Sequence, residues 1–250
     1  MKTNKTKFLS LIAMPFLSLV MLISFPSCSG DDDNSDPVYT CTTCSDSPDA
    51  LAENNNTSKG VYKGIMVGST GTISLNIQNG TNNITATMVI DGVSVALTST
   101  AMVIAGEVFV APFTGVYNGS PVSITFQVAA NGSTPTMISS DIPGHPNAVF
   151  TLLKETSTSL VEAFEGTYSK TDGESGIFNI VLSSGLGVFG GVARNNQTGV
   201  IDNDVNGLYV NGQILSNSGI PMATITGDQM NGSFVGGDQV TVTIVGNRTL

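Results

Sequence analysis

Two glycines, Gly71 and Gly176, open stretches with one shared spacing: apolar residues at +2, +4 and +6 and a further glycine at +9. The first stretch carries Ile73, Leu75 and Ile77 before Gly80, and the second carries Phe178, Ile180 and Leu182 before Gly185. An apolar period of two describes a strand with one buried face, and the closing glycine permits a turn. The same alternation predicts strands at 84–90, 93–98, 107–114, 148–153, 187–193, 207–215, 222–226 and 230–235. Asp91-Gly92 between two of them is a hairpin signal, because both residues accept positive φ. No long amphipathic helix interrupts the series. The expected fold is all-β, built of antiparallel sandwich or up-and-down barrel-like units.

The spacing also suggests an internal duplication. Gly60-Val61-Tyr62 is matched with Gly166-Thr167-Tyr168. The run Val122, Ile124, Phe126 and Val128 after Gly119 is matched with Val240, Val242 and Ile244 after Gly237. Residues 49–53 and 159–163 are each expected to form a short helical turn ahead of a first strand. Two β-units follow from these matches, 47–154 and 156–250, standing apart or joined in one domain.

The first 27 residues read differently. Lys2, Lys5 and Lys7 precede an apolar run from Phe8 to Phe25, and Pro26, Ser27 and Cys28 follow. A positive start, an apolar centre and a small residue before a cysteine form the layout of a lipoprotein signal peptide, with Cys28 as the lipid-attachment residue. Cleavage there would remove three lysines and no acid from a chain whose formal net charge is already −10. An acidic protein repels nucleic acid, which excludes that partner class. Residues 28–56, rich in Asp, Ser, Thr and Asn, are expected to be a flexible polar tether.

Cys28-Ser29-Gly30-Asp31-Asp32-Asp33 resembles the start of mature lipoproteins of the Bacteroidetes type. The resemblance is limited to the signal peptide and these residues, with Phe25 where such signals usually carry Leu. It implies an outer-membrane lipoprotein facing the cell exterior, with Ser29, Asp31, Asp32 and Asp33 as the export signal.

No catalytic set emerges from the remaining residues. Cys41 and Cys44 are the two thiols left once Cys28 is lipidated, and an oxidising compartment favours a local disulfide between them. Asp202, Asp204 and Asn206, followed by Gly207, match the first half of a calcium loop, but Gln213 stands where a bidentate Glu belongs. The single histidine, His145, lies in a Pro-Gly-His-Pro turn, and the carboxylates are scattered. No cofactor is expected. The favoured function is a membrane-anchored, non-catalytic binding domain for an unknown protein or small molecule. The alternatives are an envelope-assembly component and a hydrolase using loop carboxylates.

Overall fold

In a computed structural model the residues described are 38–67 and 71–250. Residues 37–250 constitute one compact unit that carries every described strand and the described hydrophobic cores. The fold is all-β. The first half comprises β1 (Gly60–Val67), β2 (Gly71–Ile77), β3 (Ile84–Ile90), β4 (Val93–Thr98), β5 (Phe109–Tyr117), β6 (Ser120–Val128), β7 (Thr136–Asp141) and β8 (Val149–Lys154). They form an antiparallel sheet in the order β7-β6-β5-β4-β3-β2-β1-β8. The second half comprises β9 (Val161–Lys170), β10 (Ser175–Ser183), β11 (Val188–Asn195), β12 (Ile201–Val210), β13 (Gln213–Leu215), β14 (Pro221–Thr226), β15 (Gln229–Val235) and β16 (Thr241–Arg248). Here β16 pairs with β9 and the meander closes into an eight-stranded barrel.

The two units are similar in construction. In each, the eighth strand returns to pair with the first. The first unit lacks a ladder only between β7 and β8, which run close to one another. The registers agree in detail. Gly64 of β1 lies opposite Ile73 and Leu152, and Gly166 of β9 lies opposite Phe178 and Gly246. Tyr62 lies opposite Lys154, and Phe164 lies opposite Arg248.

These registers correct part of the sequence alignment. The β2–β10 match, with Gly71 against Gly176, is the structural one. Gly166 corresponds to Gly64 and not to Gly60. The pairing of β6 with β16 joins a sixth strand to an eighth, and β16 instead corresponds to β8. Alternation recurs in every strand with one buried face, so it identifies strands without numbering them. The lead-ins also differ: Ala52–Asn54 is a 3-10 turn, whereas β9 already begins at Val161. The stretch 207–215 is two strands, because Asn211 and Gly212 both take positive φ (50° and 79°) and turn the chain between β12 and β13. Asp91 and Gly92 make the expected turn in the same way, at 49° and 77°.

The first barrel is filled. Its interior holds Phe109, Phe113, Phe126 and Tyr62 among Ile, Leu, Met and Val side chains. Tyr62 and Phe126 stand on non-adjacent strands, yet their rings meet at 5.0 Å. One end receives the Lys154 ammonium, which donates to the carbonyls of Asn54 (2.8 Å), Lys59 (2.9 Å) and Thr57. At the other end Ile142 is buried in the core, and His145 Nε2 lies 3.3 Å from Asp91 Oδ2.

The barrels pack side by side through outward-facing residues. Ile65 is buried against Val161, Ala163, Val181 and Val192. The Asn179 amide donates to the Met66 carbonyl at 3.3 Å. Glu155, fully buried, accepts from Lys63 Nζ (2.8 Å), the Asp49 amide (2.7 Å) and the Val161 amide (3.1 Å). A buried carboxylate needs such partners to offset its lost hydration.

Candidate functional site

The second barrel is hollow toward one end, whereas Phe164 and Leu182 are packed in its core toward the other. A cavity of about 680 Å³ runs into it from one end. Its cause is legible residue by residue. Gly166, Gly176, Gly191, Gly207, Gly232 and Gly246 occupy the strand positions whose side chains would point inward. Aromatic rings from adjacent strands lie over several of them. A Cβ at Gly166 would come within 2.7 Å of Phe178, one at Gly207 within 2.7 Å of Phe189, and one at Gly176 would meet the Tyr168 ring. The rings therefore rest along the wall, whereas the rings of the first barrel reach one another across the lumen. Eight strands enclose just enough room for side chains or for one small ligand, and side-chain volume decides which.

The wall is apolar: Phe178, Ile180, Phe189, Ile214, Met230 and Ile244 line it. Methionine is flexible and polarizable, so Met222 and Met230 let the lining adapt to an occupant. The volume falls inside the ~300–1,000 Å³ typical of small-molecule pockets.

The opposite end of the barrel, its floor, carries a cluster of charges that lies outside the cavity lining. Arg248 Nε lies 3.2 Å from Glu162 Oε1, and its Nη1 lies 3.3 Å from both Asp228 Oδ1 and Asp46 Oδ1. The Arg248 guanidinium also donates to the Ser45 carbonyl. Burial raises the Glu162 pKa, and the Arg248 charge opposes that rise. Burial likewise raises the Tyr209 phenol, with the Glu162 charge adding to the effect.

The upper end is the mouth. Tyr168 OH donates to Glu174 Oε1 at 3.0 Å, and Lys170 Nζ lies 3.1 Å from Glu174 Oε2 and 3.4 Å from Asp238 Oδ2. The hydrogen bonds from Lys170 and Tyr168 lower the Glu174 pKa. Burial, reinforced by Glu174, pushes Tyr168 up to about 12. Asp202, Asp204, Asn206 and Asn217 complete the rim.

The sequence-selected residues fall in different places. Cys28, Ser29, Asp31, Asp32 and Asp33, with residues 1–27, lie outside the described residues. Cys41 and Cys44 are joined by a disulfide. Asp202, Asp204 and Asn206 lie on β12, in extended backbone, and not in the coiled loop that a calcium site requires. Asp202 Oδ1 is engaged by the Asp204 amide at 2.9 Å, and Asp204 Oδ1 by the Asn206 amide group at 2.6 Å. Among the described residues no three His, Cys, Asp or Glu side chains converge as a metal site.

The expected tether is also different. From Tyr39 onward the polar segment is bonded into the body. Tyr39 OH donates to the Arg248 carbonyl at 2.9 Å, and the Cys41 amide to Asp228 Oδ2 at 2.8 Å. Composition marks this segment as polar, but its Asp46 answers a buried arginine that composition does not locate. Reading the residues in order also missed the cavity. The available signal was the recurrence of glycine at inward positions of strands, visible only once register is known. No family model matches this chain, and comparison with curated proteins and with solved structures likewise returned no match.

Proposed function

We propose that this chain is a lipid-anchored protein of the outer membrane whose second barrel binds a small apolar molecule. The observation that carries the binding half is the glycine-lined cavity of about 680 Å³ with its apolar wall. Water gains little in such a space, and apolar surface transferred into it is stabilised by about 25 cal/mol per Å² before the costs of association. The anchoring half rests on the basic, apolar and Ser27-Cys28 sequence, and outward exposure on Asp31, Asp32 and Asp33. The reading is non-catalytic.

A second reading applies to the first barrel. Its interior is filled, and it exposes Met102, Ile104 and Val108. This favours a packing role in an envelope assembly, with the two barrels derived by duplication and one of them emptied.

The test uses residues 37–250 and Nile red, an uncharged dye whose emission reports an apolar surrounding. Saturable binding at one dye per chain is expected. Ile244→Trp, which places an indole in the lumen, should abolish it while the circular dichroism spectrum stays that of a β protein. Dye binding unaffected by the tryptophan would refute the cavity as the site. For the anchor, Cys28→Ala in the full chain should remove incorporation of labelled fatty acid, and persistent labelling would refute lipidation at Cys28.

A further inference from the structure

The charges at the mouth of the second barrel are unevenly balanced. Lys170 is the one cation in the cavity lining among the described residues, against Glu174, Asp202 and Asp204. That lysine is already engaged by two carboxylates, Glu174 at 3.1 Å and Asp238 at 3.4 Å. It has no charge left over for a ligand carboxylate. Asp202 and Asp204 are exposed at the rim and receive only neutral donors: the Asp204 backbone amide, at 2.9 Å, and the Asn206 side-chain amide, at 2.6 Å. The nearby charges do not reverse this balance. Arg194 is exposed and points away from the lumen, its neighbour Ala193 being the residue of β11 that lines the cavity. Asp172, in the turn between β9 and β10, adds a further negative charge. Deeper in, the cavity lining carries no charge, and Arg248, outside the lining, is held by Glu162, Asp228 and Asp46.

An amphiphile entering this barrel therefore places its chain against Phe178, Ile180, Phe189 and Ile244 and its head between Asp202 and Asp204. We infer that the second barrel takes a cationic amphiphile, an apolar chain ending in a protonated amine or quaternary ammonium that faces Asp202 and Asp204. This rests on the apolar-site reading above and specifies its ligand class. A fatty acid would bring its carboxylate against uncompensated negative charge, and like charges at contact distance cost affinity. An uncharged alcohol of the same chain length should fall between the two.

The experiment measures displacement of Nile red from residues 37–250 by three ligands of equal chain length, each below its micelle concentration: dodecyltrimethylammonium, dodecanol and dodecanoate. The ammonium is expected to bind about tenfold more tightly than the carboxylate at low salt, from two rim charges acting through solvent. Added salt should compress the ratio. Asp202→Asn together with Asp204→Asn should bring the ratio of ammonium to carboxylate affinity to about twofold or less. Both sites are exposed, so the variant retains the fold. Equal binding of all three ligands, or tighter binding of dodecanoate, overturns the cationic preference while leaving the apolar site standing. Absence of Nile red binding, and of binding by all three ligands, overturns both.

Discussion

Gly207 faces the lumen, and the Phe189 ring covers the space a side chain would take. Gly207→Ala would meet both that ring and the Leu215 carbonyl, forcing Phe189 off the wall and into the cavity. The expected cost is about 1–3 kcal/mol, as for other overpacked interiors. Chemical denaturation measures that loss, and Nile red affinity should fall with it. The mouth offers a titration at the same scale. Lys170 and Tyr168 hold Glu174 in its ionised form and lower its pKa from 4.5. The folded state then binds this proton less readily than the unfolded chain does. The contribution is complete above pH 4.5 and is lost as pH falls through the lowered value. The stability difference between the native protein and Glu174→Gln should therefore be flat near neutrality and vanish in acid. A difference that grows on acidification would contradict the arrangement.

At the level of elements, period-two alternation placed most strands, and Asp91-Gly92 marked its own turn. The polar strands escaped. β7 (Thr136–Asp141) has no regular alternation of exposure and no buried residue, and the first half of β12 carries Asp202, Asn203 and Asp204. Both are held by backbone ladders to neighbours, which side-chain pattern does not report. Strand identity was harder than strand existence. One glycine-led alternation resembles another, so spacing alone matches β6 with β16, although only the ladder with the first strand defines the eighth. The segment 39–46 teaches the same lesson. Its polarity was plain, but its docking depends on Arg248 at the far end of the chain. The Cys41–Cys44 disulfide shapes this segment beside Asp228. Its closed loop is short, so replacing both cysteines by serine should cost about 2 kcal/mol or less. The barrels should stay folded, while proteolysis or hydrogen exchange should show faster opening between residues 38 and 46. Protection equal to that of the native protein would show that the disulfide is dispensable for docking.

At the scale of the described molecule the two barrels share an apolar seam built on Ile65 and a buried polar hub built on Glu155. Separating the barrels would expose Ile65 and its apolar neighbours to water and break the bond from the Val161 amide to Glu155. Heat unfolding of residues 37–250 is therefore expected as a single cooperative transition in calorimetry. Ile65→Asp buries a charge among Val161, Ala163 and Val181 and should resolve it into two transitions, one for each barrel. A single transition at unchanged temperature would count against the seam as the source of coupling. The contrast between interiors belongs to this scale as well. One topology is held together in two ways, by rings that meet across the lumen and by rings laid flat on glycine.

Tyr39, Cys41 and Asp46 fasten to Arg248 and Asp228 at the floor, on the opposite side of the barrel from Asp202 and Asp204. A pull applied to the chain ahead of Tyr39 is met first by this clasp, where the entering segment and the final strand are buttoned together. The load passes into β16 and the β14–β15 turn, and from there along the ladders of a closed cylinder. The rim lies off that path. A load on the N-terminal end of the described residues would shear the clasp before it distorted the opening, so the pocket is mechanically insulated from force applied at that end.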